Sequence, residues 1–75
     1  MANKDLLMAK INESGYKIGY IADCIGISRQ TLSYRLNNHS DFKDKEVARL
    51  KRILNLSNKE VDDIFFAEYV DEITT

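Results

Sequence analysis

IGYIADCIGISRQTLSYRLN, residues 18–37, is the stretch from which the rest of the chain is read. Ala22 is followed four positions later by Gly26, and Ile21, Ile25, Ile27, Leu32 and Leu36 interleave with them at helical spacing. Two short helices that cross steeply need a small side chain where they touch, and Ala22 supplies it. The tight turn between them favours a residue free to take a positive φ, and Gly26 supplies that. Ser28 is a favoured N-cap, whose hydroxyl accepts from the first free amides of a following helix. The stretch therefore reads as a helix-turn-helix, with one helix from about Ile18 to Cys24 and the next from Arg29 to about Leu36. In such a motif the second helix lies in the major groove of DNA.

Three more helices surround this pair. Asn3 is placed to cap a first helix running to Asn12 or Glu13, with Leu6, Leu7, Met8 and Ile11 inward. Gly15 stands where a left-handed residue is wanted after a helix end, and Tyr16 is expected on the core as the chain turns. Asn37 to Ser40 form a polar loop, which Phe42 should anchor to the core. Asp44 is placed to cap a fourth helix, where Val47, Leu50, Ile53 and Leu54 repeat at helical spacing. Ser57 and Glu60 form a capping box for a fifth, with Val61, Ile64 and one of Phe65 and Phe66 inward. The expectation is an all-α, five-helix fold forming one domain over residues 1–75.

Composition agrees. Seventy-five residues make one small domain with a modest core and little room for a deep catalytic cavity. The absence of proline and the presence of only three glycines favour helices joined by short connections. No apolar run approaches a membrane span and no signal-peptide pattern is seen, so the expected location is cytoplasmic, without a membrane partner. The single cysteine, Cys24, excludes an intramolecular disulfide and is expected as a partly buried small side chain. Cys24 and the lone His39 are too sparse for a metal site. No Gly-rich phosphate loop or nucleophile–base pair is present. Neither an enzyme, a cofactor nor a small-molecule substrate is expected.

Net charge is −1, which by itself argues against a nucleic-acid partner. Its distribution argues the other way. Residues 1–59 carry all eleven Lys and Arg against six acids, a balance of +5, while residues 60–75 carry six acids and no base. A basic body with an acidic end fits a molecule that presents one face to phosphates.

On a wheel of about 100° per residue, Arg29, Ser33, Asn37, Gln30 and Tyr34 fall in that order within about 140°. Leu32 and Leu36 lie off one edge of the arc. Arg can grip O6 and N7 of guanine with two hydrogen bonds, and Gln can do the same to N6 and N7 of adenine. Ser28 and Ser33 are short enough to permit close approach, Thr31 is within reach of a phosphate, and Tyr34 can lay its ring on a thymine methyl. The base-reading candidates are therefore Arg29, Gln30, Ser33 and Tyr34.

The chain resembles the Cro/repressor (Xre-type) helix-turn-helix family, and especially its short members carried by phages and prophages of Gram-positive bacteria. The resemblance rests on IADCIGISRQTLSYRLN, the loop aromatic Phe42, the KRILNLS link and the tail IFFAEYVDEITT, and so covers nearly the whole chain. It implies a five-helix DNA-binding transcriptional regulator, often dimeric on a two-fold operator. In that family the second, third and sixth residues after the apolar residue that ends the turn often touch bases or nearby backbone. Counted from Ile27 these are Arg29, Gln30 and Ser33, with Tyr34 next. Three positions depart from the pattern. Lys17 stands where a polar cap usually opens the second helix, leaving amides that can meet a phosphate. Gly19 weakens that helix by about 1 kcal/mol relative to alanine, but its missing side chain lets a DNA backbone approach. Arg35 occupies a position that relatives often fill with an apolar residue; its stem is expected to cover the core edge while its head pairs with an acid such as Asp23.

Candidate contacts to the DNA backbone are Lys17, Gly19, Ser28, Thr31, Asn37, Asn38, Lys43 and Lys45. Lys43 and Lys45 stand at the start of the fourth helix, near the loop that follows the reading helix, whereas the stripe Lys45, Arg49, Arg52 reads first as a solvated face. Phe66, Tyr69, Val70 and Ile73 are more apolar bulk than one helix end buries. Residues 66–75 are expected either to fold back on the first helix or to form a dimer contact through Phe66, Tyr69 and Val70. The rival reading is a protein-interaction module, such as an antirepressor or antitoxin on a helix-turn-helix scaffold. The polar arc discriminates, because an interaction module would more often carry large apolar groups there.

Overall fold

Asn3 opens the first helix because its side-chain Oδ1 accepts from the Leu6 amide at 3.1 Å. In the computed structural model, which describes residues 2–66, the helices are α1 (Lys4–Ser14), α2 (Ile18–Ile25), α3 (Arg29–Leu36), α4 (Asp44–Ile53) and α5 (Asn58–Phe65), with no strand among the described residues. Tyr69, Val70 and Ile73 lie outside that range. No helix among the described residues is long and apolar enough to cross a membrane.

Each connection is closed by local chemistry. Gly15 ends α1 at φ 73° and Gly26 ends α2 at φ 82°, where a side chain would be strained. Ser57 Oγ accepts from the Glu60 amide at 3.1 Å while Glu60 Oε1 accepts from the Ser57 amide at 2.9 Å, completing the expected capping box of α5.

α2 packs on both α3 and α4, and α5 packs on α1 and α4. The Asn3 amide donates to the Ile64 carbonyl at 2.6 Å, tying the start of the described chain to α5. Leu7, Ile21, Ala22, Leu32 and Leu50 are wholly buried where these helices meet. Phe42 anchors the loop after α3, its ring edge-on to Phe65 at 5.5 Å. Of the two adjacent phenylalanines, Phe65 is buried and Phe66 is exposed.

Four sequence expectations need correction. Leu6 is exposed, because it lies about 100° around α1 from Leu7, on the far side from Ile11. Tyr16 is exposed too, and stacks at a tilt on the Tyr20 ring at 5.0 Å instead of entering the core. Cys24 is exposed, because Ile18, Ile21, Ala22 and Ile25 take the inner arc of α2 and position 24 falls about 60° beyond it. Asp44 is the first residue of α4 rather than its cap; Lys43 holds the cap position without a side-chain hydrogen bond.

Candidate nucleic-acid interface

The α3 helix begins where Ser28 Oγ accepts from the Thr31 amide at 3.0 Å, and the Ser28 hydroxyl in turn donates to Thr31 Oγ1 at 2.8 Å. That pair holds Thr31, half-buried, against the turn. Leu32 and Leu36 take the inner face of α3 and are buried. The opposite arc is then forced outward: Arg29, Gln30, Ser33, Tyr34 and Asn37 are all exposed. The Arg29 and Gln30 side chains hold no hydrogen bond or ion pair among the described residues. The Tyr34 ring rests at a tilt on His39, 5.3 Å between centroids, and stays 56 % exposed.

Asn37 closes the arc and is tied at both ends. Its Nδ2 donates to the Ser33 carbonyl at 3.0 Å, and its Oδ1 accepts from Lys4 Nζ at 2.6 Å. Lys4, from the first turn of α1, thus joins the rim of the α3 face. Nothing local in the sequence announces that contact, since 33 positions separate the partners. A cleft lined by Lys4, Ile18, Arg29, Ser33 and Asn37 runs along this edge. A second depression joins Lys17, Gly19, Tyr20 and Asp23 of the α2 start to the same Arg29. Arg29 forms a wall of both, so Lys17 and Gly19 belong to one surface with the α3 arc. The α2 N-terminus carries no side-chain cap, and the space where a Gly19 Cβ would sit holds no atom within 4 Å.

Lys43 and Lys45 are exposed at the start of α4 and line neither cleft. Asn38, at φ 62°, is half-buried in the loop between, and its amide donates to the Arg35 carbonyl at 3.1 Å. Phe66, at the far end of α5, is 40 % exposed.

Arg35 does not pair with Asp23. Its guanidinium turns toward α4: Nη2 donates to Glu46 Oε2 at 3.1 Å, Nη1 donates to Ser40 Oγ at 2.9 Å, and Nε lies 2.6 Å from Glu46 Oε1 as a close ion contact rather than an aligned hydrogen bond. Asp23 is exposed on α2. Glu46 was not anticipated as a structural residue. It sits three positions after Lys43, the spacing at which a carboxylate caps a helix start, and its Oε1 accepts from the Lys43 amide at 3.1 Å. Arg49, expected in a solvated stripe, donates from Nη1 to the Ile25 carbonyl at 3.0 Å and so satisfies the C-terminal end of α2 beside the turn.

Two further contacts shift titrating groups. The hydrogen bond to Glu60 holds the Lys10 ammonium above its ordinary value, and the same bond, with the Ser57 amide, holds the Glu60 carboxyl below its own. On α2, interaction with the neighbouring Cys24 side chain pushes the Tyr20 hydroxyl up.

Residues 5–68 match the model of a family described as "Protein of unknown function (DUF739)", and the chain belongs to that family. The match runs from the first turn of α1 past the end of α5. No curated protein and no solved structure matches the chain.

Proposed function

We propose that the protein is a sequence-specific double-stranded-DNA-binding transcriptional regulator, a short relative of the Cro/repressor (Xre-type) helix-turn-helix proteins. In this reading α2, the Gly26 turn and α3 are the helix-turn-helix, and α3 enters the major groove. The observation that carries it is the outer arc of α3, where Arg29 and Gln30 stand exposed with their donors and acceptors uncommitted to the described protein. Arg29 reads a guanine edge and Gln30 an adenine edge, Ser33 permits the close approach, and Tyr34 covers a thymine methyl.

The surroundings suit the same task. Lys17, the open Gly19 and the free amides of α2 meet phosphate on one side of the arc, and Lys43 and Lys45 meet it on the other. Ser28, Thr31, Asn37 and Asn38 border the arc at its two ends. One short reading helix covers few base pairs, so a homodimer on a two-fold operator is the assembly proposed, with the exposed Phe66 at its contact.

The test is a gel shift with the upstream region of the protein's own operon, repeated as salt is raised. Lys17, Lys43 and Lys45 give three phosphate-facing cations per protomer. A logarithmic slope of about −0.9 per neutralised phosphate then predicts a loss of about fortyfold per protomer from about 50 to about 200 mM salt. Failure to bind any operon fragment, or affinity indifferent to salt, would count against the reading.

A further inference from the structure

Glu46 is the one buried charged residue among the described residues, 5 % exposed, and groups from two separate parts of the chain converge on it. Arg35 reaches it from the last turn of α3 through Nη2 at 3.1 Å and Nε at 2.6 Å. The Lys43 amide, at the start of α4, donates to its Oε1 at 3.1 Å. Arg35 also holds the intervening loop through Ser40 Oγ at 2.9 Å, and the loop itself returns to α3 where the His39 amide donates to the Tyr34 carbonyl at 2.9 Å. The end of α3, the loop and the start of α4 are thus pinned around one carboxylate.

A buried ion pair is weak evidence of stability, because desolvating two charges costs about as much as their attraction returns. Its better-attested use is to specify one arrangement over others. Here the arrangement has a consequence. Tyr34 is the chain neighbour of Arg35, and the Lys43 side chain springs from the residue whose amide Glu46 holds. Moving the carboxylate therefore moves Lys43 relative to the outer arc of α3.

We propose that Glu46, acting with Arg35, is a positioning residue that sets the distance between the base-reading face of α3 and the phosphate-contacting lysine at the start of α4. The inference rests on the DNA-binding reading. On a duplex those two groups must meet a base edge and a phosphate at once, and the spacing of these targets is fixed by the double helix. A protein that holds the spacing in advance loses less freedom on binding the correct site. On random DNA, where no base contact has to be matched, the spacing matters little.

The test uses duplexes selected by the intact wild-type protein from a random pool, with scrambled duplex as reference, all at fixed salt. Glu46→Gln keeps an oxygen for the Lys43 amide but strands the Arg35 cation, so it is expected to lower stability as well as binding. The deciding variant is Arg35→Met with Glu46→Gln, which removes both charges and keeps the cap oxygen. Circular dichroism fixes a temperature at which it is folded. The expected result there is a roughly tenfold fall in the ratio of selected to scrambled affinity. Scrambled binding and its salt slope should hold, since every phosphate-facing lysine remains. A purely structural pair would leave the ratio of the folded double variant at the wild-type value, and that outcome overturns the inference while the DNA-binding reading stands. Wild-type protein that selects no duplex removes the DNA-binding reading itself and this inference with it.

Discussion

Replacing Gly26 by alanine should cost distinctly more than the same change at Gly15, although both glycines close a helix in the left-handed region. At φ 73°, Gly15 has nothing within 4 Å of where a Cβ would stand, so Gly15→Ala meets only backbone strain, about 1–2 kcal/mol. At Gly26, φ 82°, the added Cβ would lie 2.8 Å from Arg49 Nη1, the atom that donates to the Ile25 carbonyl. Arg49 is flexible and can retreat, but retreat breaks its bond to the end of α2, which is worth about 1 kcal/mol. Gly26→Ala is therefore expected to cost about 2–3 kcal/mol, and the excess over Gly15→Ala, about 1 kcal/mol, corresponds to about 4–8 °C in Tm for a domain of this size. The assay is urea unfolding of the two single variants, of Arg49→Met, and of Gly26→Ala combined with Arg49→Met. In the Arg49→Met background the hydrogen bond is already gone, so Gly26→Ala should shrink to the strain alone and match Gly15→Ala. Equal losses at Gly15 and Gly26 in the wild-type background, or additive losses for Gly26→Ala and Arg49→Met, would refute the argument that Arg49 makes this turn intolerant of a side chain.

Two further outcomes are expected. Gln30→Ala should cost about 1–3 kcal/mol on the selected duplex, little on scrambled DNA, and relax preference at one base pair, whereas Lys43→Ala should weaken all duplexes nearly equally and flatten the salt slope by about one; the same profile for both would remove α3 as the reading helix. The Lys10–Glu60 contact between α1 and α5 should make stability fall at both extremes of pH. Glu60 is held below 4.5, so its contribution is full above that pH and is lost as pH falls through the lower folded value; Lys10 is held above 10.5, so its contribution is full below that pH and is lost as pH rises through the higher folded value. Lys10→Met should flatten both limbs in a series of thermal melts, and an unchanged acid limb would show that Glu60 is held by something other than Lys10.

What the sequence made legible was decided within a turn or two of helix. Ser28, Ser57 with Glu60, Gly15 and Gly26 each act on backbone groups two to four residues away, so their roles follow from spacing alone. Periodicity also placed Leu32 and Leu36 inside, and with them the exposure of Arg29, Gln30, Ser33 and Tyr34. Leu6 and Cys24 are exposed for a related reason: each is apolar or small but lies outside the buried arc of its helix, by about 100° and about 60°, and there angle outweighs composition.

The contacts that hold the α3 face in place were not legible, and the reason is physical. The sequence offers Arg35 acids on both α2 and α4, Asp23 and Glu46, and spacing alone does not choose between them. Which acid it meets depends on how α3 and α4 lie across one another, a property of packing that no local spacing encodes. The same holds for Arg49 with Ile25 and for Lys4 with Asn37, separated by 24 and 33 positions. Which side chains lie on the outer arc of a helix follows from its periodicity, and that much is open to a reader of sequence. Contacts between helices find their partners only when the helices meet. The outer arc of α3 could therefore be read before the fold was known, whereas the Arg35–Glu46 contact beside it could not.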